Sequence, residues 1–245
     1  MPRIYLSPST QENNMYVTGG SEEYYMNLVA DAMVRYLQAN AIQYTRNSRT
    51  GTAGDAIRES NRGNYDLHLA LHSNAAPEGQ YGTYTGIDVY YSPTSVNGRR
   101  AADIFVRNLK DIYPNPGKVR AVPTTTIGEV TQTRAPAVFL ELGYHDNTSD
   151  ANWVTNNINT IARNLVLSLT QYFGVPFAEP TAPRTGTVNV TSGNLNLREK
   201  PSTASRILAS MPRGATLTVV GELPEWYVVN YRGQVGYALR RFISF

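Results

Sequence analysis

Hydrophobic residues in the first 175 positions occur in two patterns that alternate along the chain. Short continuous runs predict strands, and helical spacing of apolar residues predicts helices. Strands are predicted at 4–6, 42–45, 67–71, 87–91, 119–122 and 137–142, and helices at 21–39, 53–61, 98–112 and 157–173. This alternation predicts an α/β fold, a three-layer domain with a mostly parallel sheet flanked by helices.

The pattern changes after residue 175. Residues 174–186 contain three prolines and little that could pack, which predicts a Pro-rich linker at 176–185. Beyond it, apolar residues alternate with period two between Gly- and Pro-containing turns, as in a small all-β, SH3-like barrel. The predicted organisation is therefore a domain at 1–175, the linker, and a second domain at 186–245.

Charge is distributed unevenly between these parts. Residues 1–180 hold 14 Lys and Arg against 16 Asp and Glu, whereas residues 181–245 hold 8 against 3. A basic small domain suggests contact with an anionic surface. There is no dense Lys/Arg run, so we expect no nucleic-acid partner.

The composition excludes some kinds of site and favours some kinds of ligand. The chain has no cysteine, which excludes disulfides and thiolate metal ligands, and its 17 tyrosines suit sugar-like or peptide-like ligands. No apolar run reaches the ~20 residues of a membrane span. The amino-terminal residues also lack the apolar segment of a secretion signal, so none is expected in this chain.

Glu141 stands at the carboxyl end of the apolar run 137–142. Ligands of open α/β sheets bind at such strand ends, and a buried carboxylate needs a partner or a metal to offset its desolvation. Two interpretations are open at this stage. Glu141 is either paired with a cation such as Arg134 or takes part in chemistry.

The three histidines of the chain are His68, His72 and His145. His72 ends a predicted strand, and His68 lies four residues before it, ~13 Å away at ~3.3 Å per residue, so both cannot bind one metal. We therefore predict that His68 is a core residue. Glu23, at the start of the first long helix, would converge with His72 and Glu141 on one cleft, an arrangement suited to metal-assisted hydrolysis.

Four segments, in this order, resemble the zinc-dependent N-acetylmuramoyl-L-alanine amidases, which cut the amide between muramic acid and the stem peptide of peptidoglycan. They are residues 23–28, 67–75, 86–92 and 136–143. The resemblance implies that Glu23 and His72 are Zn²⁺ ligands and that Glu141 is the catalytic glutamate. Asn74 is predicted to position His72 or to bind substrate.

The sequence departs from that family at the first zinc ligand, a histidine in a Gly-His-Gly-Gly turn. Thr10 or Gln11 stands there instead. We predict that His145, four residues after Glu141, replaces it. The alternatives are Gln11 or Glu12 as an oxygen ligand, or an inactive amidase-like protein that only binds or regulates.

The second domain resembles bacterial SH3 (SH3b) modules, which commonly hold cell-wall polymers. The matching segments are 186–190, 195–203, 225–229 and 233–237. Trp226 and Tyr237 are predicted either to bind substrate by stacking or to belong to the barrel core. The combined expectation is a peptidoglycan amidase of autolysin or endolysin type, acting at the cell wall.

Overall fold

The computed structural model describes all 245 residues, which form two compact units. The larger unit comprises Arg3–Met33 and Tyr44–Tyr172. The smaller unit comprises Met1–Pro2, Val34–Gln43 and Phe173–Phe245.

A six-stranded sheet forms the centre of the α/β part of the chain. Its strands are β1 (Arg3–Pro8), β2 (Gln43–Arg46), β3 (Leu67–Asn74), β4 (Ile87–Tyr91), β5 (Val119–Pro123) and β6 (Ala137–Tyr144). They lie in the order β2-β1-β3-β6-β4-β5. The pairs β1–β3, β3–β6 and β4–β5 are parallel, and β4–β6 is antiparallel. The predicted mostly parallel sheet is confirmed.

Six helices accompany this sheet. They are α1 (Glu22–Ala39), α2 (Ala53–Arg62), α3 (Val96–Lys110), α4 (Gly128–Thr131), α5 (Thr148–Asn156) and α6 (Ile158–Phe173). Four of them were predicted from periodicity. The short helices α4 and α5 were not predicted, because neither has enough apolar residues to show a period. No helix of the structure is both long and apolar enough for a membrane crossing.

Strand β6 carries an irregularity at its carboxyl end. His72 pairs with Glu141, but Asn74 pairs with Tyr144, so β6 has one extra residue at this point. Gly143 adopts a φ of +82°, and a Cβ there would lie 3.1 Å from the Cβ of Asp150. The bulge thus needs glycine, and it directs the residues after it across the end of β3.

Asp150 of α5 holds this strand end in place. Its buried carboxylate accepts hydrogen bonds from the backbone N–H of Tyr144 (3.0 Å) and Gly86 (3.0 Å) and from the Tyr113 hydroxyl (2.6 Å). The single side chain therefore joins the end of β6 to the start of β4.

Asp150→Ala is expected to lower the free energy of unfolding by roughly 3 kcal/mol, because it leaves three donors without an acceptor, two of them buried. Urea unfolding of the full chain measures this loss. Asp103→Ala, on the exposed side of α3, is the matched control and should change stability by less than about 0.5 kcal/mol. Equal effects of the two substitutions would contradict this role for Asp150.

The smaller unit contains an antiparallel sheet of seven strands. They are β7 (Glu179–Val188), β8 (Asn194–Arg198), β9 (Ile207–Pro212), β10 (Thr216–Glu222), β11 (Trp226–Tyr231), β12 (Gln234–Leu239) and β13 (Ile243–Ser244). Their order is β13-β7-β10-β11-β12-β8-β9. Alternate residues of these strands pack into a core that includes Leu197, Val219 and Val229, all 0% exposed.

The predicted linker is wrong over most of its length. Residues 179–185 belong to β7, which pairs with β10 through Pro180 opposite Gly221 and Arg184 opposite Val219. Prolines fit there because β13 pairs only with the far end of β7, so that side of β7 is an edge where no N–H is required.

The smaller unit also includes the end of α1 and the turn after it. The Asn40 amide donates to Ala178 O (2.9 Å) and accepts from Ala178 N (2.6 Å). The Tyr237 hydroxyl donates to Asn40 O (3.0 Å), and Tyr237 is 1% exposed. Tyr237 is therefore a core residue, and its prediction as a substrate-stacking residue is wrong.

Candidate active site

Functional side chains meet where β3 and β6 end. His72 and Glu141 are register partners in this parallel pair, and Asp88 of β4 lies opposite Glu141 across the antiparallel pair. Register partners place their side chains on the same face of a sheet. His72, Glu141 and Asp88 therefore line one face at one edge.

Helix α1 brings Glu22 to His72. Ser21 caps the helix through its hydroxyl, and Glu22 lies on the same helical face as Met26, Val29 and Met33, which are all 0% exposed. Burial of that face directs the Glu22 carboxylate inward, and its Oε1 lies 2.8 Å from His72 Nδ1.

Glu23 does not make this contact, in contrast to the sequence-based prediction. Its Oε1 accepts a hydrogen bond from the Asn27 amide at 3.0 Å. The apolar spacing i, i+4, i+7, i+11 from Glu22 was the signal that distinguishes the two neighbouring acids.

The other ring nitrogen of His72 faces Glu129, a residue that sequence reasoning missed. Glu129 Oε1 lies 3.7 Å from His72 Nε2, and its Oε2 lies 2.8 Å from His68 Nε2. His68 is 0% exposed and also contacts the Ser60 hydroxyl at 3.0 Å, so its prediction as a core residue is confirmed. The ring of Phe139 stacks on that of His72 with centroids 4.2 Å apart.

Glu141 has no ionic partner. Its Oε2 is closed off from solvent and has no hydrogen-bond partner, although the residue as a whole is only partly buried. No ion pair joins Arg134 to Glu141, since the salt bridges at this site are those of His68 and His72 with Glu22 and Glu129, so the salt-bridge interpretation of Glu141 is wrong. A buried carboxylate oxygen without a partner is costly and calls for a functional explanation.

The acidic residues of the site differ in protonation. Burial, reinforced by the nearby carboxylates of Glu22 and Asp88, raises the pKa of Glu141 to about 8. Burial also opposes ionisation of Glu22 and Glu129, but their contacts with histidine outweigh it and lower the pKa of both. For His72, burial favours the neutral ring, but the contacts with Glu129 and Glu22 prevail and raise its pKa.

The loop after β1 supplies amides near His72 where the resembling family has a histidine. Gln11 Nε2 lies 3.3 Å from His72 Nδ1. The Asn14 amide donates to Gln11 Oε1 (2.8 Å) and to Glu22 Oε2 (2.7 Å). Glu12 is exposed and contacts none of these residues.

His145 reaches the same strand end but is bonded elsewhere. Its Nδ1 contacts the hydroxyl (3.2 Å) and the carbonyl oxygen (3.1 Å) of Ser73, and its ring lies 5.8 Å from that of Tyr16. The structure does not bring His145 into one metal-binding group with Glu22 and His72. Asn74 accepts from Ala75 N at 2.8 Å and thus shapes the turn after β3.

The Glu22–His72 pair provides an oxygen and a nitrogen donor for a metal ion. Glu22 Oε1 and His72 Nδ1 lie 2.8 Å apart, so either a ring proton on Nδ1 is donated to the carboxylate or a cation that displaces this proton binds both atoms. No Lys or Arg forms an ion pair with Glu22, Glu129 or Glu141, and Glu22 and Glu129 contact histidines instead. These oxygen and imidazole donors fit Zn²⁺. However, the structure has no group of three His, Asp or Glu side chains placed to hold a metal.

A cleft of about 300 Å³ lies in the smaller unit. Asn196, Arg198, Trp226 and Phe242 are among its lining residues. Trp226 is 9% exposed and packs in a buried cluster, so only part of its ring can meet a ligand.

A histidine between carboxylates, next to an unpartnered glutamate at the strand ends of a mostly parallel sheet, defines a hydrolytic α/β domain. The N-acetylmuramoyl-L-alanine amidase family (Amidase_3) matches residues 9–171, so the chain belongs to this family of amide hydrolases. Residues 193–244 match the bacterial SH3 domain.

Solved structures of two amidases and of the catalytic domain of an endolysin share the fold at low sequence identity. The amidase AmiC2 of Nostoc punctiforme is 14% identical with a TM-score of 0.62, over 71% of this chain and 97% of that chain. An amidase of Clostridium difficile 630 is 15% identical with a TM-score of 0.62, over 71% and 97%. The catalytic domain of the CD27L endolysin, targeting Clostridia difficile, is 17% identical with a TM-score of 0.56, over 70% and 98%. No curated protein sequence matches this chain.

Proposed function

We propose that this protein hydrolyses the amide bond between N-acetylmuramic acid and the L-alanine of the peptidoglycan stem peptide. The buried, unpartnered Oε2 of Glu141 beside the Glu22–His72 pair carries this proposal. Family membership adds the substrate class. Its place of action would be the cell wall, as an autolysin or an endolysin.

In the proposed mechanism, Glu141 is the general base. Its carboxylate accepts a proton from the attacking water and passes it to the leaving amine of L-alanine. Glu22 and His72 would hold Zn²⁺, which would supply Lewis acidity toward the scissile carbonyl. Glu129 holds the far side of His72 and so fixes the orientation of the ring.

Two residues are candidates for the third zinc ligand. We propose His145, which reaches the end of β3 beside Ser73 and would have to exchange its Ser73 contacts for the metal. Gln11 is the alternative because its side chain lies 3.3 Å from His72 Nδ1. Glu12 is not favoured, since it is exposed.

The products of cell-wall digestion test this function. Purified full-length protein should release stem peptides with a new amino-terminal L-alanine and should produce no new reducing sugar ends. A second candidate function is an inactive wall-binding or regulatory protein, which the incomplete set of metal ligands favours. Wall binding without release of L-alanine peptides would support that candidate and overturn the amidase proposal.

The SH3 unit is proposed to hold the wall polymer through its cleft. Arg198→Gln should weaken sedimentation of the full chain with purified walls by roughly tenfold, because it removes a charged donor from the cleft wall. Arg213→Gln removes the same charge from an exposed turn and should leave binding unchanged. Equal losses for both variants would point to non-specific charge attraction instead.

A further inference from the structure

A second cleft, of about 360 Å³, opens in the larger unit where β4 and β5 begin. Tyr84, Asp88, Lys118, Arg120 and Tyr144 are among its lining residues. Strands β4 and β5 run opposite to β6. Their beginnings therefore lie at the same sheet edge as the end of β6.

This cleft adjoins Glu141. Asp88 is the register partner of Glu141 across β4 and β6, so both side chains lie on the same face. Tyr144 follows Glu141 by three residues, just past the bulge at Gly143. A molecule with its reacting bond at Glu141 can therefore extend into the cleft.

The cleft carries a positive charge that no protein group neutralises. Arg120 forms a salt bridge with Asp88, in which its Nε and Nη2 lie 3.0 and 3.1 Å from the two carboxylate oxygens. Lys118 differs, because its ammonium donates to the neutral Thr85 hydroxyl at 2.5 Å and contacts no carboxylate. Lys118 is thus available to an anionic ligand.

Two tyrosines form another part of the cleft wall. The rings of Tyr84 and Tyr144 stack with centroids 5.9 Å apart and planes 25° apart. Together they present flat apolar surface with hydroxyls at the edge, next to the cation. Such a combination suits an extended peptide that bears a carboxylate.

We propose that this cleft binds the peptide side of the substrate and that Lys118 recognises a carboxylate on the residue after L-alanine. The inference rests on the proposed amidase function for the identity of the substrate. In a muramoyl peptide, the lactyl carboxyl group is consumed in the scissile amide. The free carboxylates therefore lie on the peptide, and this argues for the peptide rather than the glycan in the cleft.

Binding to the full-length Glu141→Gln protein tests the proposal without turnover. The probes are a muramoyl dipeptide whose glutamate has both carboxylates free and the same dipeptide with its α-carboxylate amidated. Calorimetric titration at low salt should show the acid binding about tenfold more tightly than the amide. Adding Lys118→Gln should reduce this preference to less than twofold, with binding of the amide unchanged.

The matched control is Lys110→Gln in the same background, which removes an exposed lysine at the end of α3 and should retain the preference. Equal affinity for acid and amide, binding of neither, or the same loss in both lysine variants would overturn the proposal. Turnover by the wild-type chain separates the two hypotheses. If the wild type cleaves both peptides without preference, the role of Lys118 and its cleft is contradicted but the amidase function stands. If the acid binds more tightly but neither peptide is cleaved, the amidase function is contradicted but the role of the cleft stands.

Discussion

Replacing Glu141 with glutamine is expected to lower amide hydrolysis roughly 10³-fold, the range that a general base contributes. Glutamine keeps the size of the side chain but cannot accept the proton of the attacking water. The measurement is the rate at which L-alanine amino termini appear during digestion of purified walls. Glu78→Gln, which changes an exposed carboxylate in the loop before β4, should retain the full rate.

Glu141→Gln should also change how the stability of the protein depends on pH. Because burial raises the pKa of Glu141 to about 8, the stability contributed by its neutral form is complete below about pH 4.5. That contribution is lost as the pH rises through 8. In metal-free protein, the melting temperature of the wild type should therefore fall relative to Glu141→Gln between pH 5 and 9. Parallel curves for the two proteins would contradict a buried, unpartnered carboxylate at this position.

Glu22→Gln is expected to weaken zinc binding at least ~100-fold, and activity should be lost with the metal. The reason is the contact of Glu22 Oε1 with His72 Nδ1, which glutamine cannot reproduce as an anion. Zinc content after dialysis and titration with a competing chelator measure the loss. Glu23→Gln is the matched control at the neighbouring position, and its zinc affinity should change less than twofold.

The reverse result, with Glu23→Gln losing the metal and Glu22→Gln keeping it, would restore the ligand set predicted from sequence. Applying the titration to His145→Ala and Gln11→Ala decides the third ligand. If His145 is the ligand, His145→Ala loses zinc and Gln11→Ala retains it. Unchanged zinc in His145→Ala would remove His145 from the site.

The sequence could identify Glu141 and His72 because each ends an apolar strand, and parallel strands bring their carboxyl ends to one edge. The choice between Glu22 and Glu23 depends on the rotation of α1, which the spacing of Met26, Val29 and Met33 from Glu22 indicates and which their burial fixes. Glu129 was out of reach, because it lies in the four-residue helix α4 with no periodicity to place it.

Two other errors have the same origin in tertiary contacts. The prolines of residues 179–185 suggested a linker, but an edge position in a sheet tolerates them. Tyr237 looked available for stacking, because the sequence does not show that the carbonyl of Asn40, about two hundred residues away, accepts its hydroxyl. Local pattern predicts elements, whereas burial of an individual side chain depends on partners distant in sequence.

The contact of Asn40 with Ala178 and Tyr237 bears on how the protein can be divided into fragments. An SH3 fragment that starts at Phe173 would lack residues 34–43 and would expose the Tyr237 hydroxyl and the backbone groups of Ala178 to water. The complementary fragment would retain Asn40 without its partners. Boundaries drawn from the two family matches alone would therefore cut through a packed core, and a soluble SH3 reagent from this chain needs that helix end supplied or its contacts redesigned.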